Sequence, residues 1–281
     1  MRPFFRALLY ILIATGTVLL VGSLVGQLVL AGLIAQRYQR VVFYLIVNSA
    51  LLVTSGLMLA AVDRRSFHAL GLWFYPRWVR EALIGVGIGG GLIAAVAGFM
   101  LAGHWLGYQG FNPDATPAGF LRVAGFLFLA AAFEEILFRG YAFQRLVDSL
   151  GAVGAVALSS TLFGLAHLVN PSATALSTAN TVLAGVLLSA AYLKTRGLWL
   201  SIGLHWAWNF FLGPIVSVPI SGFRIGPMLL RAQIAGPEWL TGSTYGPEGS
   251  IILTGACIAA IVWLARTKSV FASPAMAEVL K

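Results

Sequence analysis

The sequence predicts an all-α, polytopic membrane protein with about eight transmembrane helices. Three observations carry that expectation. Of the 281 residues, 59% are hydrophobic and 10% charged, with a mean hydropathy of +0.89; a soluble domain carries about 25% charged residues. The apolar residues fall into runs of about 20, the length a helix needs to cross a bilayer. Most acidic and basic residues lie between the runs, but Glu134 and Glu135 lie inside one, with Arg122 earlier in it and Arg139 directly after it.

Eight runs stand out, at about residues 5–33, 41–62, 82–103, 119–138, 152–169, 176–193, 198–214 and 250–264. The first follows Met1-Arg2-Pro3-Phe4-Phe5-Arg6. It is too long for a signal peptide and lacks a small-residue cleavage site, so it reads as a retained span. The connections are residues 37–40, the basic and aromatic stretch 63–80, the stretch 109–117 broken by Pro113 and Pro117, a turn near Gly151, the turn 194–197, and a long Gly- and Pro-rich segment, 213–249. That segment has room for a re-entrant or interfacial piece. With the amino terminus inside, Arg2, Arg6, Arg64, Arg65, Arg77, Arg80, Arg145, Lys194, Arg196, Arg266, Lys268 and Lys281 collect on the inner side, and Arg37, Arg40, Arg122, Arg224 and Arg231 on the outer. The bias places both termini in the cytoplasm. No internal repeat or low-complexity tract is visible, so residues 1–281 read as a single membrane domain.

The net charge of +9 would suggest nucleic acid in a soluble protein. Here it reflects basic loops facing anionic lipid, and membrane lipids are the expected partners. The single cysteine, Cys257, lies in an apolar run, which excludes an intramolecular disulfide and a cysteine-based zinc site.

A charge at mid-bilayer costs about 2.5 to 3.5 kcal/mol on insertion scales, so three together call for partners. Glu134 lies 17 positions before Gly151 and His167 lies 16 after it. In an antiparallel hairpin rising about 1.5 Å per residue, the two reach nearly the same depth. His205 and Asn209 follow the 194–197 turn at i, i+4 on one helix face; Phe163 with His167, and Glu135 with Arg139, share that spacing. Adjacent Glu134 and Glu135 point about 100° apart, so Glu134 can face a cavity while Glu135 pairs with Arg139. Each residue alone also fits a packing role, as interhelical glue. Four intramembrane ionisable groups at coincident depths favour a site. Trp199, Trp206 and Trp208 read as packing or interfacial anchors. Gly85, Gly87, Gly89, Gly90 and Gly91 read as close helix packing, since no strand precedes them as a phosphate loop would require.

Glu, two His and Asn around a wet, low-dielectric pocket suit hydrolysis of an amide. A desolvated Glu acts as general base towards water, an imidazole orients that water or binds a metal, and Asn and a second His donate to an oxyanion. Glu134, His167 and His205 also match the ligand types of a catalytic zinc, although no HExxH helix is present. The residues do not choose between a metal and a metal-free water.

Glu134-Glu135-x-x-x-Arg139, Phe163-x-x-x-His167 and His205-x-x-x-Asn209, in this order, resemble the three motifs of the CPBP family, the CAAX protease and bacteriocin-processing (ABI) family of intramembrane proteases. The flanking stretches 158–167 and 197–205 fit as well, and the resemblance covers about residues 119–211. It implies a multi-helix membrane endopeptidase whose site opens towards the cytoplasm. In it Glu134 is the general base, His167 helps hold the water or a divalent metal such as zinc, His205 and Asn209 stabilise the oxyanion, and Glu135, Arg139 and Phe163 support them. The type II CAAX prenyl proteases of this family act on prenylated carboxyl-terminal extensions, so a peptide or protein substrate, as a C-terminal segment or lipidated peptide, is the implied partner. The size and compact loops point to a bacterial plasma membrane. Two other classes compete. An ion-coupled transporter would show inverted repeats with two interrupted helices, and none is seen. A non-catalytic immunity-type protein would keep the fold without needing intact motifs.

Overall fold

In the computed structural model, which describes residues 2–279, the chain is mostly helical. Met1 and Lys281, both used in the sequence reading, lie outside the described residues. Helix α1 (Pro3–Leu30) starts on a proline, whose missing N–H costs nothing in a first turn. Helix α2 (Gln39–Leu57) runs on through a π turn to Asp63, and α3 is Trp78–Ala102. Thr116 caps α4 (Pro117–Arg139) by accepting from the Gly119 N–H. Next come α5 (Tyr141–Ala166), α6 (Ala175–Thr195) with a Thr174/Ser177 capping box, and α7 (Trp199–Phe210), extended by a π turn to Ile215. The one-turn α8 (Glu238–Thr241), α9 (Ile251–Arg266) and α10 (Pro274–Val279) complete the helices.

Four helical stretches, Pro3–Leu30, Gln36–Asp63, Trp78–Ala102 and Ala175–Thr195, are long and apolar enough to cross a membrane. The other four expected spans depart from a plain apolar rod for visible reasons. Helix α4 carries four charges, α5 is broken, α7 has 12 residues and α9 has 16. The break in α5 is at Gly151 (φ 71°, ψ 171°), where the hairpin turn was expected. A second break corrects the expectation of one long fourth helix. The chain turns at Gly140 (φ −77°, ψ −133°), and a Cβ there would sit 2.2 Å from the Ile136 carbonyl oxygen.

The all-α expectation needs one amendment. Strands β1 (Leu106–Phe111) and β2 (Leu230–Ile234) pair antiparallel, with Leu106 opposite Ile234 and an irregularity between Tyr108 and Phe111. This ribbon anchors the long segment 213–249 over one end of the bundle. The described terminal segments meet at the other end. There Arg6 pairs with Asp63 at 2.6 Å, and the Lys194 ammonium donates to the Ala265 and Thr267 carbonyls.

Helices α3 and α7 run side by side at backbone contact. A Cβ on Gly85 would meet the Leu200 oxygen at 2.3 Å, one on Gly89 the Leu204 oxygen at 2.3 Å, and one on Gly203 the Ala82 oxygen at 2.3 Å. Gly89 is the twelfth of 25 residues in α3. The second half of α7 therefore lies near mid-length of α3, about 17 Å from its start.

Candidate functional site

The cavity at that depth has a volume of about 230 Å³ and is lined by Glu134, His167, His205 and Asn209, with Phe163 in its wall. The Glu134 Oε2 atom lies 3.9 Å from His167 Nε2 and 3.8 Å from His205 Nε2. The hairpin count thus brought Glu134 and His167 to one level.

The second nitrogen of each imidazole fixes the tautomer. His167 Nδ1 is 2.8 Å from the Phe163 carbonyl oxygen, which only accepts, so Nδ1 carries the proton. His205 Nδ1 is 2.9 Å from Glu135 Oε1 and donates to it. In its neutral form each ring therefore turns a lone pair at Nε2 towards Glu134. Glu134 Oε2 is itself buried and without a hydrogen-bond partner. Three acceptor atoms converging at 3.8–3.9 Å are too far apart for direct hydrogen bonds. They leave a place for a small donor between them, and a water suits it.

Below this place lies the ion pair. Glu135 and Arg139 are both 0% exposed, with Arg139 Nη1 3.1 Å from Glu135 Oε1. Arg139 Nη2 donates to the Gly185 carbonyl at 3.1 Å, and its guanidinium lies over the Phe163 ring, 4.5 Å from the centroid. One arginine thereby joins α4, α5 and α6, and through Glu135 it fixes His205 of α7. The Phe163 ring also packs on His167, at 4.6 Å between centroids.

Sequence reasoning missed the roof. Glu248 lines the cavity and is 9% exposed. Its Oε1 accepts from Trp208 Nε1 at 2.8 Å; its Oε2 accepts from the Ser221 hydroxyl at 2.9 Å and from the Ser221 backbone N–H. The Asn180 amide donates to the Glu248 and Ser250 carbonyls, both at 2.8 Å. Trp208, expected as an anchor, therefore lines the site, and Tyr44 of α2 lines it too. A carboxylate two residues before the last apolar run was the available signal for Glu248.

The donor set Glu134, His167 and His205 has the chemistry of a zinc site. Among the described residues, however, no three His, Cys, Asp or Glu side chains are grouped closely enough to hold a metal ion.

Residues 116–211 match the family model described as Type II CAAX prenyl endopeptidase Rce1-like. No curated protein and no solved structure matches the chain. The matched stretch, about a third of the chain, contains all three motifs and every expected site residue, and it supports the likeness to the CPBP family of CAAX-type proteases.

Proposed function

We propose that this protein is an intramembrane endopeptidase, an eight-crossing bundle that hydrolyses a peptide bond with a water activated by Glu134. One observation carries the reading: the unpartnered, buried Glu134 Oε2 faces two imidazole lone pairs at 3.8 and 3.9 Å. A water there donates one proton towards Glu134 and the other towards His167. As the water oxygen attacks the substrate carbonyl, Glu134 takes the first proton and later delivers it to the leaving amine. Asn209 donates its side-chain N–H to the oxyanion in every protonation state. His205 donates at Nε2 only when doubly protonated, because Nδ1 is committed to Glu135. Asn209 is therefore the oxyanion donor, and His205 joins it in its doubly protonated form. Glu135 and Arg139 hold His205 and take no part in the proton transfers.

A metal held by Glu134, His167 and His205 is a second reading, which rests on the donor types alone, since the three side chains are not grouped closely enough to hold an ion as they stand. It would polarise the carbonyl or the water. Metal analysis of the purified protein, with chelation and add-back, separates the two.

Glu134→Gln keeps the shape of the side chain and removes the base. The expected result is loss of cleavage by a factor of about 10² to 10⁴ in a variant that melts like the parent. Proteins that persist uncleaved in cells carrying this variant, identified by comparative proteomics, are the substrates. Identical processing in parent and variant would remove Glu134 as the base.

A further inference from the structure

We infer that a pocket at the end of the termini binds the phosphate of an anionic lipid headgroup. It is separate from the Glu134 cavity, shares no lining residue with it, and does not rest on the hydrolytic reading.

The first observation is the pocket itself. Its volume is about 400 Å³, and Arg65, Arg145, Asp148, Tyr192, Arg196 and Ala277 contribute to its lining. That volume lies within the range of small-molecule sites. The three arginines come from separate segments: the turn after α2, the first half of α5 and the residue that ends α6. Ala277 comes from α10. The fold thus brings three arginines together around one acidic residue, Asp148. Like charges gathered in this way repel one another, and a bound anion offsets that cost.

The second observation is how these arginines are paired. Arg145 is 3% exposed. Its Nη1 and Nη2 lie 3.2 Å from Asp63 and 3.0 Å from Asp148, while its Nε is buried without a hydrogen-bond partner. Among the described residues, no carboxylate lies within 4.0 Å of the Arg65 or Arg196 guanidinium. The pocket therefore holds N–H donors and positive charge in excess of its acceptors. Guanidinium forks match the oxygens of a phosphate, to which they donate in pairs. Arg196 also occupies a left-handed backbone position, φ 59°. Glycine fills such a position at the end of a helix with least strain, so what arginine adds there is its side chain.

The third observation is depth. Arg65 lies two residues beyond Asp63, the end of one stretch long and apolar enough to cross a membrane. Arg196 lies one residue beyond Thr195, the end of another. Both stand where acyl chains give way to headgroups, and basic pockets between helices at that level take phosphate-bearing headgroups. The phosphate within reach is a lipid's.

The test reads the melting temperature of the full-length protein in neutral detergent, with phosphatidylglycerol, phosphatidylcholine or inorganic phosphate added. Phosphatidylglycerol at about 100 times its Kd is expected to raise melting by roughly 5 °C. Phosphatidylcholine, whose phosphate carries its own cation, is expected to act far more weakly. Arg196→Gly and Arg65→Ala are expected to melt like the parent without lipid and to weaken the phosphatidylglycerol titration by about tenfold. Asp148→Asn, which removes the acidic competitor, is expected to tighten it. Equal titrations in the parent and both arginine variants would overturn the site, as would an equal response to phosphatidylcholine. The full shift with inorganic phosphate alone would overturn the lipid as its source. Arg65→Ala, in a turn outside the helices, decides the matter where Arg196→Gly fails to accumulate.

Discussion

Glu248 shows how one carboxylate outside the matched stretch can control residues within it. Three donors, from Trp208 and Ser221, converge on its two oxygens. Trp208 is the neighbour of Asn209 and three residues after His205, so the grip on its indole fixes the turn of α7 that presents both. Glutamine offers one acceptor oxygen, and its NH₂ would face a donor across a hydrogen-bond distance. A buried donor left without an acceptor costs about 1 to 3 kcal/mol, and the local structure shifts to relieve it. Misplacement by about 1 Å can lower a rate by roughly 10²-fold. Glu248→Gln is therefore expected to lower cleavage by about 10 to 10²-fold while leaving the protein folded. Cleavage rates set beside melting in detergent check this, and a variant with full activity would show that Glu248 only ties down the loop.

At the scale of the element, the α3–α7 contact sets the depth of the site. A side chain at Gly89 would have to displace the backbone of α7 at Leu204 and Trp208, whereas a Cβ on Gly87 meets nothing within 4 Å. Overpacking costs about 1 to 3 kcal/mol and more where backbone must move. Gly89→Val is expected to lose both melting temperature and cleavage, and Gly87→Ala neither; equal behaviour of the two would deny the contact its role. The glycine run was legible as close packing, yet only the helical period separates Gly85 and Gly89, which touch α7, from Gly87 and Gly91, which face open space. The same limit holds elsewhere. Hydropathy located the four helices long and apolar enough to cross a membrane, and counting from Gly151 levelled Glu134 with His167, because both signals are local and periodic. The ribbon was not legible, since Leu106–Phe111 contains two glycines and finds its partner over 100 residues away. The roof was hidden for a related reason. Glu248 reaches Trp208 only after the long segment has folded back, and no spacing rule encodes that return. The break at Gly140 depends on a backbone conformation that composition does not reveal.

Across the whole molecule, the buried residues form two apolar clusters. One joins α3, α6, α7 and α9 and holds the cavity wall; the other joins α1, α2 and the first half of α5. Asp63 fastens the second cluster at the end of the termini. Its side chain is 1% exposed and bridges Arg6 at 2.6 Å and Arg145 at 3.2 Å. Arg145 is almost as deeply buried, at 4%, and its other carboxylate partner, Asp148 at 3.0 Å, is 40% exposed. Breaking a buried pair by neutralising one member costs about 3 to 5 kcal/mol, because the remaining charge stays desolvated. The exposed Asp148 offsets part of that loss, so the lower figure applies. Asn in place of Asp63 keeps the shape but turns a donor or a neutral oxygen towards the guanidinium. Asp63 lies at the far end of α2 from Tyr44, which lines the cavity, and on the far side of the Glu135–Arg139 floor. Asp63→Asn is therefore expected to lower the melting temperature in detergent by several degrees while cleavage per folded molecule stays at the parental rate. Unchanged melting with lost cleavage would mean that the two clusters move as one catalytic unit. The expected split would mean that α1, α2 and the start of α5 serve as a frame, and that α4, the second half of α5, α6, α7 and the roof hold the chemistry.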